Sequence, residues 1–174
     1  MVERISSESI YRGRVFEVKR DEIRVRGRSI VREVVIHPGA AAILPILPNG
    51  RILLIRQYRY PVDETLLEIP AGTLEKGESP EECARRELEE ETGYRAGRLR
   101  LLASFYMAPG YSSEYLRLYL AEELEKGERR PEVDEEIELT EMGLEEALKA
   151  VRDGLIRDSK TIIALLYYHL FVRG

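Results

Sequence analysis

Residues 11–36 alternate between apolar and polar side chains, with Gly27 between the runs Ile23–Arg26 and Ser29–Ile36. A period of two is that of half-buried strands, so this stretch predicts an antiparallel N-terminal lobe. The pattern then changes. Ala41–Leu47 is an almost continuous apolar run interrupted by Pro45, Pro48-Asn49-Gly50 carries turn chemistry, and Arg51–Tyr58 reads as a further strand; together they predict a hairpin. Ser79–Thr92 predicts a helix: Ser79 caps it, Pro80 suits its first position, Glu82 completes a capping box and Gly93 ends it. Strands are expected at 98–107, 114–122 and 135–142, and helices at Leu144–Arg152 and Ser159–Val172, the last with an apolar face of Ile162, Ile163, Leu165, Leu166 and Leu170. Strands of mixed direction with helices on the sheet faces make an α/β/α sandwich, here with a small antiparallel β lobe in front. The expected division is a lobe over residues 1–38 and a main domain over 39–174, with no repeat or low-complexity linker.

Composition narrows the class. The 174 residues suffice for one domain with its own core, and 44% hydrophobic with 34% charged residues describes a soluble globular chain. The net charge of -5 conceals a polarity: arginines crowd the first 60 residues, acids crowd 75–91 and 122–146. This distribution suits a basic wall facing an acidic, metal-collecting patch, although two solvated faces read the same way. Overall acidity argues against nucleic acid as a partner. Cys83 is the sole cysteine, which excludes an intramolecular disulfide, and its glutamate neighbours disfavour a thiolate. The first ten residues lack an apolar signal core and the run Ile162–Leu166 is too short to span a bilayer, so a cytoplasmic protein without a membrane partner is expected. One Asn and one Gln beside abundant Glu and Arg point to a thermophilic source, although composition bias in the genome produces the same pattern.

The chemistry concentrates in Gly72–Tyr94, GTLEKGESPEECARRELEEETGY. Glu87, Glu90 and Glu91 fall at i, i+3 and i+4 of the expected helix and so share one face. Their mutual repulsion, roughly a few tenths of a kcal/mol per pair, is relieved by a hard divalent cation, for which carboxylate oxygens are natural ligands. Glu78 precedes the helix on a loop pinned by Gly72 and Gly77. Taken alone, an E-x-x-E-E run is more often a solvated face. The whole constellation resembles the Nudix box, G-x5-E-x7-R-E-U-x-E-E-x-G-U, matched by Gly72, Glu78, Arg86, Glu87, Leu88, Glu90, Glu91 and Gly93, with an aromatic Tyr94 at the last bulky position. The resemblance implies a Nudix α/β/α sandwich with a mixed sheet, and hydrolysis of a nucleoside diphosphate linked to another moiety. It implies Glu87, Glu90 and Glu91 as metal-facing carboxylates, a metal contact from the Ala71 carbonyl, and Arg86 as the residue that holds carboxylates such as Glu78. Two or three Mg²⁺ ions, with Mn²⁺ as an alternative, would neutralise the diphosphate and activate water.

Features outside the box resemble the ADP-ribose pyrophosphatase branch. Pro109 lies 15 residues after Tyr94 in the stretch 108–114, which ends in Ser-Ser-Glu114; Arg56-Gln57-Tyr58-Arg59-Tyr60 and Leu67-Glu68-Ile69-Pro70-Ala71-Gly72 precede the box; Arg32-Glu33-Val34 and His37-Pro38-Gly39-Ala40 lie in and after the lobe. This likeness implies cleavage of ADP-ribose to AMP and ribose 5-phosphate. It implies a phosphate contact from Arg59, substrate contacts near Pro109 and Glu114, and a homodimer whose lobes complete the partner's adenine pocket with His37 or Arg32. For His37 a satisfied structural role is an equal alternative, for Pro109 a plain turn, and for Arg59 a surface position. A glutamate on a late loop helps activate water in this branch; Glu135 is the first choice from its register with the following strand, and the second acid that relatives carry two positions earlier is replaced by Val133. Glu135 then joins Arg86, Glu90 and Glu91 as a catalytic candidate and the box glutamates as a metal candidate. Rival readings are a Nudix hydrolase of a nucleotide-sugar or dinucleoside polyphosphate, and a Nudix module that binds a nucleotide without cleaving it. The complete set of box carboxylates disfavours the last.

Overall fold

A computed structural model of the chain describes residues 2–130 and 136–173. Three antiparallel strands, β1 (Val2–Arg12), β2 (Glu17–Val25) and β3 (Arg28–Ile36), form the N-terminal sheet in that order. Arg26 and Gly27 both take positive φ, 51° and 79°, the backbone that a two-residue hairpin turn requires. The sequence pattern does not reveal β1. Its register against β2 shifts between Arg4 and Ser6 and again between Ser9 and Tyr11. Each such irregularity resets the alternation of faces, so the apolar residues Val2, Ile5, Ile10 and Tyr11 do not fall on one period of two.

The main domain is built around β4 (Ala40–Pro45), buried throughout. Ala40, Ala42 and Leu44 point to one core and Ala41 and Ile43 to the other. This is why the run is continuously apolar: it is covered on both faces. β4 pairs in parallel with β9 (Tyr115–Lys126) and antiparallel with β7 (Ala71–Thr73), and β8 (Tyr94–Tyr106) completes the mixed sheet in the order β7-β4-β9-β8. A second, antiparallel sheet has the order β10-β5-β6, from β5 (Ile52–Arg59), β6 (Glu64–Glu68) and β10 (Ile137–Met142). Helix α1 (Pro80–Thr92) packs Cys83, Ala84 and Leu88 on one side; α2 (Leu144–Arg152) and α3 (Ser159–Phe171) pack Leu144, Ala147, Ala150, Ala164 and Leu165 on the other. The sandwich is therefore α/β/α, as its sequence implies.

The expected hairpin of 41–58 is replaced by something else. The turn forms, with the Leu47 N–H donating to the Arg51 carbonyl at 2.9 Å and one bridge between Ile46 and Ile52. Beyond it the strands separate, β4 going to the mixed sheet and β5 to the second sheet. Both are apolar on consecutive residues, and each gains more burial between its own neighbours than it would in a two-stranded ribbon. The short strands β6 and β7 also lack a sequence signature, since each is too brief to show a period.

The lobe joins the domain through the 108–113 loop. Val35 donates to the Tyr111 carbonyl at 2.8 Å and accepts from the Ser113 N–H at 2.9 Å, and the His37 N–H donates to Ser113 Oγ at 3.0 Å.

Candidate functional site

Helix α1 begins and ends as its residues dictate. Ser79 accepts from the Glu82 N–H while the Glu82 side chain accepts from the Ser79 N–H, and Gly93 closes the helix at φ 74°. The row of glutamates is organised by one side chain. Arg86 donates from Nε and Nη2 to the two oxygens of Glu78 at 2.8 and 3.1 Å, and from Nη1 to Glu87 Oε1 at 2.7 Å and Glu90 Oε2 at 3.0 Å. Its Nη2 also reaches the Thr73 carbonyl at 3.3 Å. A planar fork of fixed donors suits this task; an ammonium could not span it. The hydrogen bond from Arg86 holds the Glu78 carboxyl below the usual carboxylate range, and the same contact raises the Arg86 pKa further.

The strand ahead of the box closes over this helix. A Cβ on Gly72 would sit 1.8 Å from Glu87 Oε1, so a larger residue there would push the Glu87 carboxylate out of the place that Arg86 gives it. The next-door Ala71 N–H donates to Glu91 Oε2 at 3.2 Å, and Glu91 is only 1% exposed, whereas the Glu90 side chain remains 38% exposed. Cys83 lies beneath, with Arg86 Nη2 3.6 Å from its sulfur. Burial, then the charges of Glu87 and Glu78, push its thiol up to about 12, which makes it inert at neutral pH.

A cavity of about 810 Å³ opens above these groups. Its walls are Arg14, Val15 and Pro38 from the lobe and its junction, Arg59 from β5, residues 71–76, and Arg86, Glu87 and Glu90. Cationic and carboxylate side chains thus face one space, as needed to hold a polyanion together with a metal. Among the described residues no three carboxylates, histidines or cysteines already converge as a metal cage: Glu87 and Glu90 lean on Arg86, and Glu91 on Ala71. The donor chemistry nevertheless fits a hard divalent cation, with anionic oxygens beside a backbone position kept clear of a Cβ.

Arg59 is itself held from below. Its Nε and Nη2 donate to the two oxygens of Glu68 at 2.9 and 2.8 Å. Glu68 is 1% exposed and also pairs with Lys160, whose ammonium reaches Asp158 at 3.0 Å. Asp158 caps α3 through the Thr161 N–H at 2.9 Å, and Thr161 Oγ1 accepts from the Ile69 N–H at 2.8 Å. Burial opposes charge on Glu68, but hydrogen bonds from Arg59 and the charges of Lys160 and Arg59 outweigh it, leaving the carboxyl lowered from 4.5. Burial likewise pulls on Arg59, and Glu68 more than compensates.

The structure brings Ala71, Arg86, Glu87, Glu90 and Arg59 around one space, whereas Glu91 is buried against the Ala71 N–H and is not on its wall. Other sequence candidates stand elsewhere. His37 is half-buried and its Nδ1 accepts from the Gly39 N–H at 3.1 Å, a structural engagement away from the cavity wall of its own chain. Arg32 is exposed on β3 and donates to the Val31 carbonyl at 2.9 Å. Pro109 is exposed in a turn closed by Tyr111 and Ser112 N–H groups on the Ala108 carbonyl, and Glu114 follows, half-buried, pairing with Met107 through its carbonyl at 3.1 Å. Glu135 lies outside the described residues. Sequence reasoning missed Arg14 and Val15, for which the break at Gly13 in an alternating stretch is the available signal, and it missed Lys160, which has no local signal.

Comparison with known proteins adds a family and several relatives. The model of the NUDIX domain matches residues 36–165. The chain is 43% identical over 169 residues to the ADP-ribose pyrophosphatase of Bacillus subtilis (strain 168), covering 95% of this chain and 91% of that protein. The same identity and coverage relate it to the methanol dehydrogenase activator of Bacillus methanolicus. It is 41% identical over 138 residues to the GDP-mannose pyrophosphatase of Yersinia enterocolitica, 74% of this chain and 72% of that one. A solved structure described as an ADP compounds hydrolase superposes with a TM-score of 0.88 at 26% identity, covering 99% of this chain and 95% of that chain.

Proposed function

Because the chain belongs to the Nudix family, we propose that it hydrolyses the diphosphate linkage of ADP-ribose, giving AMP and ribose 5-phosphate. The observation that carries this reading is the single cavity in which the Arg86-organised glutamates face Arg59 and Arg14. Glu87, Glu90 and Glu91, with the Ala71 carbonyl, would hold the metal, for which Mg²⁺ is the proposed ion and Mn²⁺ a substitute. When bound, it supplies charge neutralisation at the diphosphate and activation of water. The chain's own side chains do the rest. Arg59 donates to a phosphate oxygen from the edge that faces the cavity. Arg86 keeps the carboxylates apart and oriented, and Glu135 takes the proton from the attacking water. The lobe, residues 1–38, closes the cavity from above with Arg14 and Val15.

The likeness to the Yersinia enterocolitica protein makes GDP-mannose the second substrate to examine. Product chromatography after incubation with ADP-ribose or GDP-mannose, with Mg²⁺ or with excess chelator, decides both questions. AMP and ribose 5-phosphate are expected with metal only; a tenfold or so preference for GDP-mannose, about 1.4 kcal/mol in the barrier, overturns the substrate reading. A homodimer is part of the proposal. It is supported by the row Val2, Ile5, Ile10, Tyr11, Val15, Phe16, Val31 and Ile36, all exposed on a thin sheet. Sedimentation as a monomer at micromolar concentration would refute it. No helix of the described residues is long and apolar enough to cross a membrane. A cytoplasmic setting and a thermophilic source complete the reading, and rest on composition.

A further inference from the structure

We propose that Lys160 is a positioning residue for substrate binding, acting through Glu68 on Arg59. The idea rests on the reading of Arg59 as a phosphate contact. Lys160 is buried and absent from the cavity wall, so it cannot touch the substrate. What it touches is the carboxylate that orients Arg59. Glu68 grips Nε and Nη2, which leaves Nη1 without a hydrogen bond among the described residues. Lys160 pairs with the same Glu68 oxygen that Nη2 uses, Oε2.

Charge balance gives this arrangement its function. Arg59 and Lys160 carry two positive charges, Glu68 and Asp158 two negative ones, and the four form one connected group, well covered except at Arg59, which also feels the charge of Glu91. Without Lys160 the group is one unit negative. Its field at the cavity floor then opposes a diphosphate, and Glu68 binds Arg59 as its only strong partner, turning the guanidinium towards itself. Lys160 thus shares the Glu68 charge and leaves Arg59 a cation towards the substrate.

The position of Lys160 is unfavourable by local rules. It is the second residue of α3, where the helix dipole disfavours a cation and the N-cap Asp158 carboxylate offsets that only locally. A buried lysine against both the dipole and desolvation persists only where its partners require it. The same turn anchors the strand ahead of the box, since Thr161 binds both Asp158 and the Ile69 N–H. The start of α3 therefore fixes the Glu68–Ile69 segment by two contacts, one ionic and one neutral, and only the ionic one reports to Arg59.

Steady-state kinetics on Lys160→Met, Arg59→Ala and the double variant test this, using ADP-ribose, or GDP-mannose if that is the compound cleaved. Lys160→Met should raise KM about tenfold with kcat changed by less than about twofold, and leave the metal concentration for half-maximal rate unchanged. In the Arg59→Ala background it should add nothing to KM, because the residue it acts through is gone. Wild-type KM in folded Lys160→Met overturns the proposal, as does a fall in kcat alone or an additive effect in the double variant. If Arg59→Ala itself has wild-type KM, the phosphate reading of Arg59 falls and this inference with it; if Arg59→Ala raises KM and Lys160→Met does not, only this inference falls. Should Lys160→Met not fold, Lys160→Gln takes its place. It removes the charge, keeps a donor for Glu68, and is expected to raise KM at unchanged kcat, with wild-type KM again overturning the proposal.

Discussion

Two groups of carboxylates adjoin the cavity, and each pairs with an arginine of its wall. Around Arg86, three glutamates (Glu78, Glu87 and Glu90) meet one guanidinium, and Glu90 remains partly open to solvent. Around Glu68, two acids meet two bases; Glu68, Lys160 and Asp158 are well covered, and Arg59 keeps an exposed edge. The first group has an excess of negative charge that one arginine arranges and leaves uncancelled; the second is balanced. An excess of anionic oxygen beside an open cavity is what a cation-binding site needs. A balanced group can only hold its members in place. On the proposed function the same residue types serve chemistry in one place and posture in the other, and the charge count distinguishes the two.

Four measurements break or sharpen that contrast. The largest effect is expected in the unbalanced group. Glu90→Gln or Glu91→Gln removes a hard anionic oxygen, so the rate should fall by at least about 100-fold and the Mg²⁺ concentration needed should rise. Full activity in both variants would remove the metal role from the helix. Glu135→Gln should differ, lowering the maximal rate with little change in KM.

In the balanced group, Glu68→Ala should cost stability: breaking a buried pair costs about 3–5 kcal/mol, and the lower end applies because Asp158 still pairs with Lys160. Denaturant unfolding reads this directly. The pH dependence has a fixed sign. The Glu68 carboxyl is lowered from 4.5, so its contribution is complete above pH 4.5 and is lost as the pH falls through the lower folded value. The stability gap between the wild type and Glu68→Gln should be flat above that pH and shrink below it; a gap that widens in acid contradicts the ionic account.

Arg59→Ala comes third. A charge-assisted phosphate contact is worth roughly 1.5–3 kcal/mol, so KM should rise by about one to two orders of magnitude while the fold persists. The smallest effect is expected where a carboxylate belongs to neither group. Glu81 pairs with Arg85 on the solvent face of α1 at 3.0 Å, and Glu81→Gln should change stability by only about 0.3–0.5 kcal/mol and leave the rate unaffected. A loss of activity there would mean that α1 tolerates no charge change at all, and the contrast between the two groups would lose its meaning.

The amino-acid sequence alone determined α1, its capping box and its Gly93 stop, because these depend on contacts within four residues. It determined the shared face of Glu87, Glu90 and Glu91 for the same reason, and the two later helices to within a residue or so. The need for glycine at 72 was legible as part of a motif, but its cause was not: the glycine answers to Glu87, 15 positions away and reached only when β7 folds across α1. Tertiary structure alone decided that β4 and β5 part after their turn, since a strand's partners are set by burial on both faces and not by its own residues. It decided that β1 exists, because irregular register erased its period. It also decided that Lys160, 92 positions from Glu68, belongs beside the site. Pairing of charges across the fold leaves no periodic trace, because the Coulomb interaction depends on distance in space and is indifferent to separation along the chain.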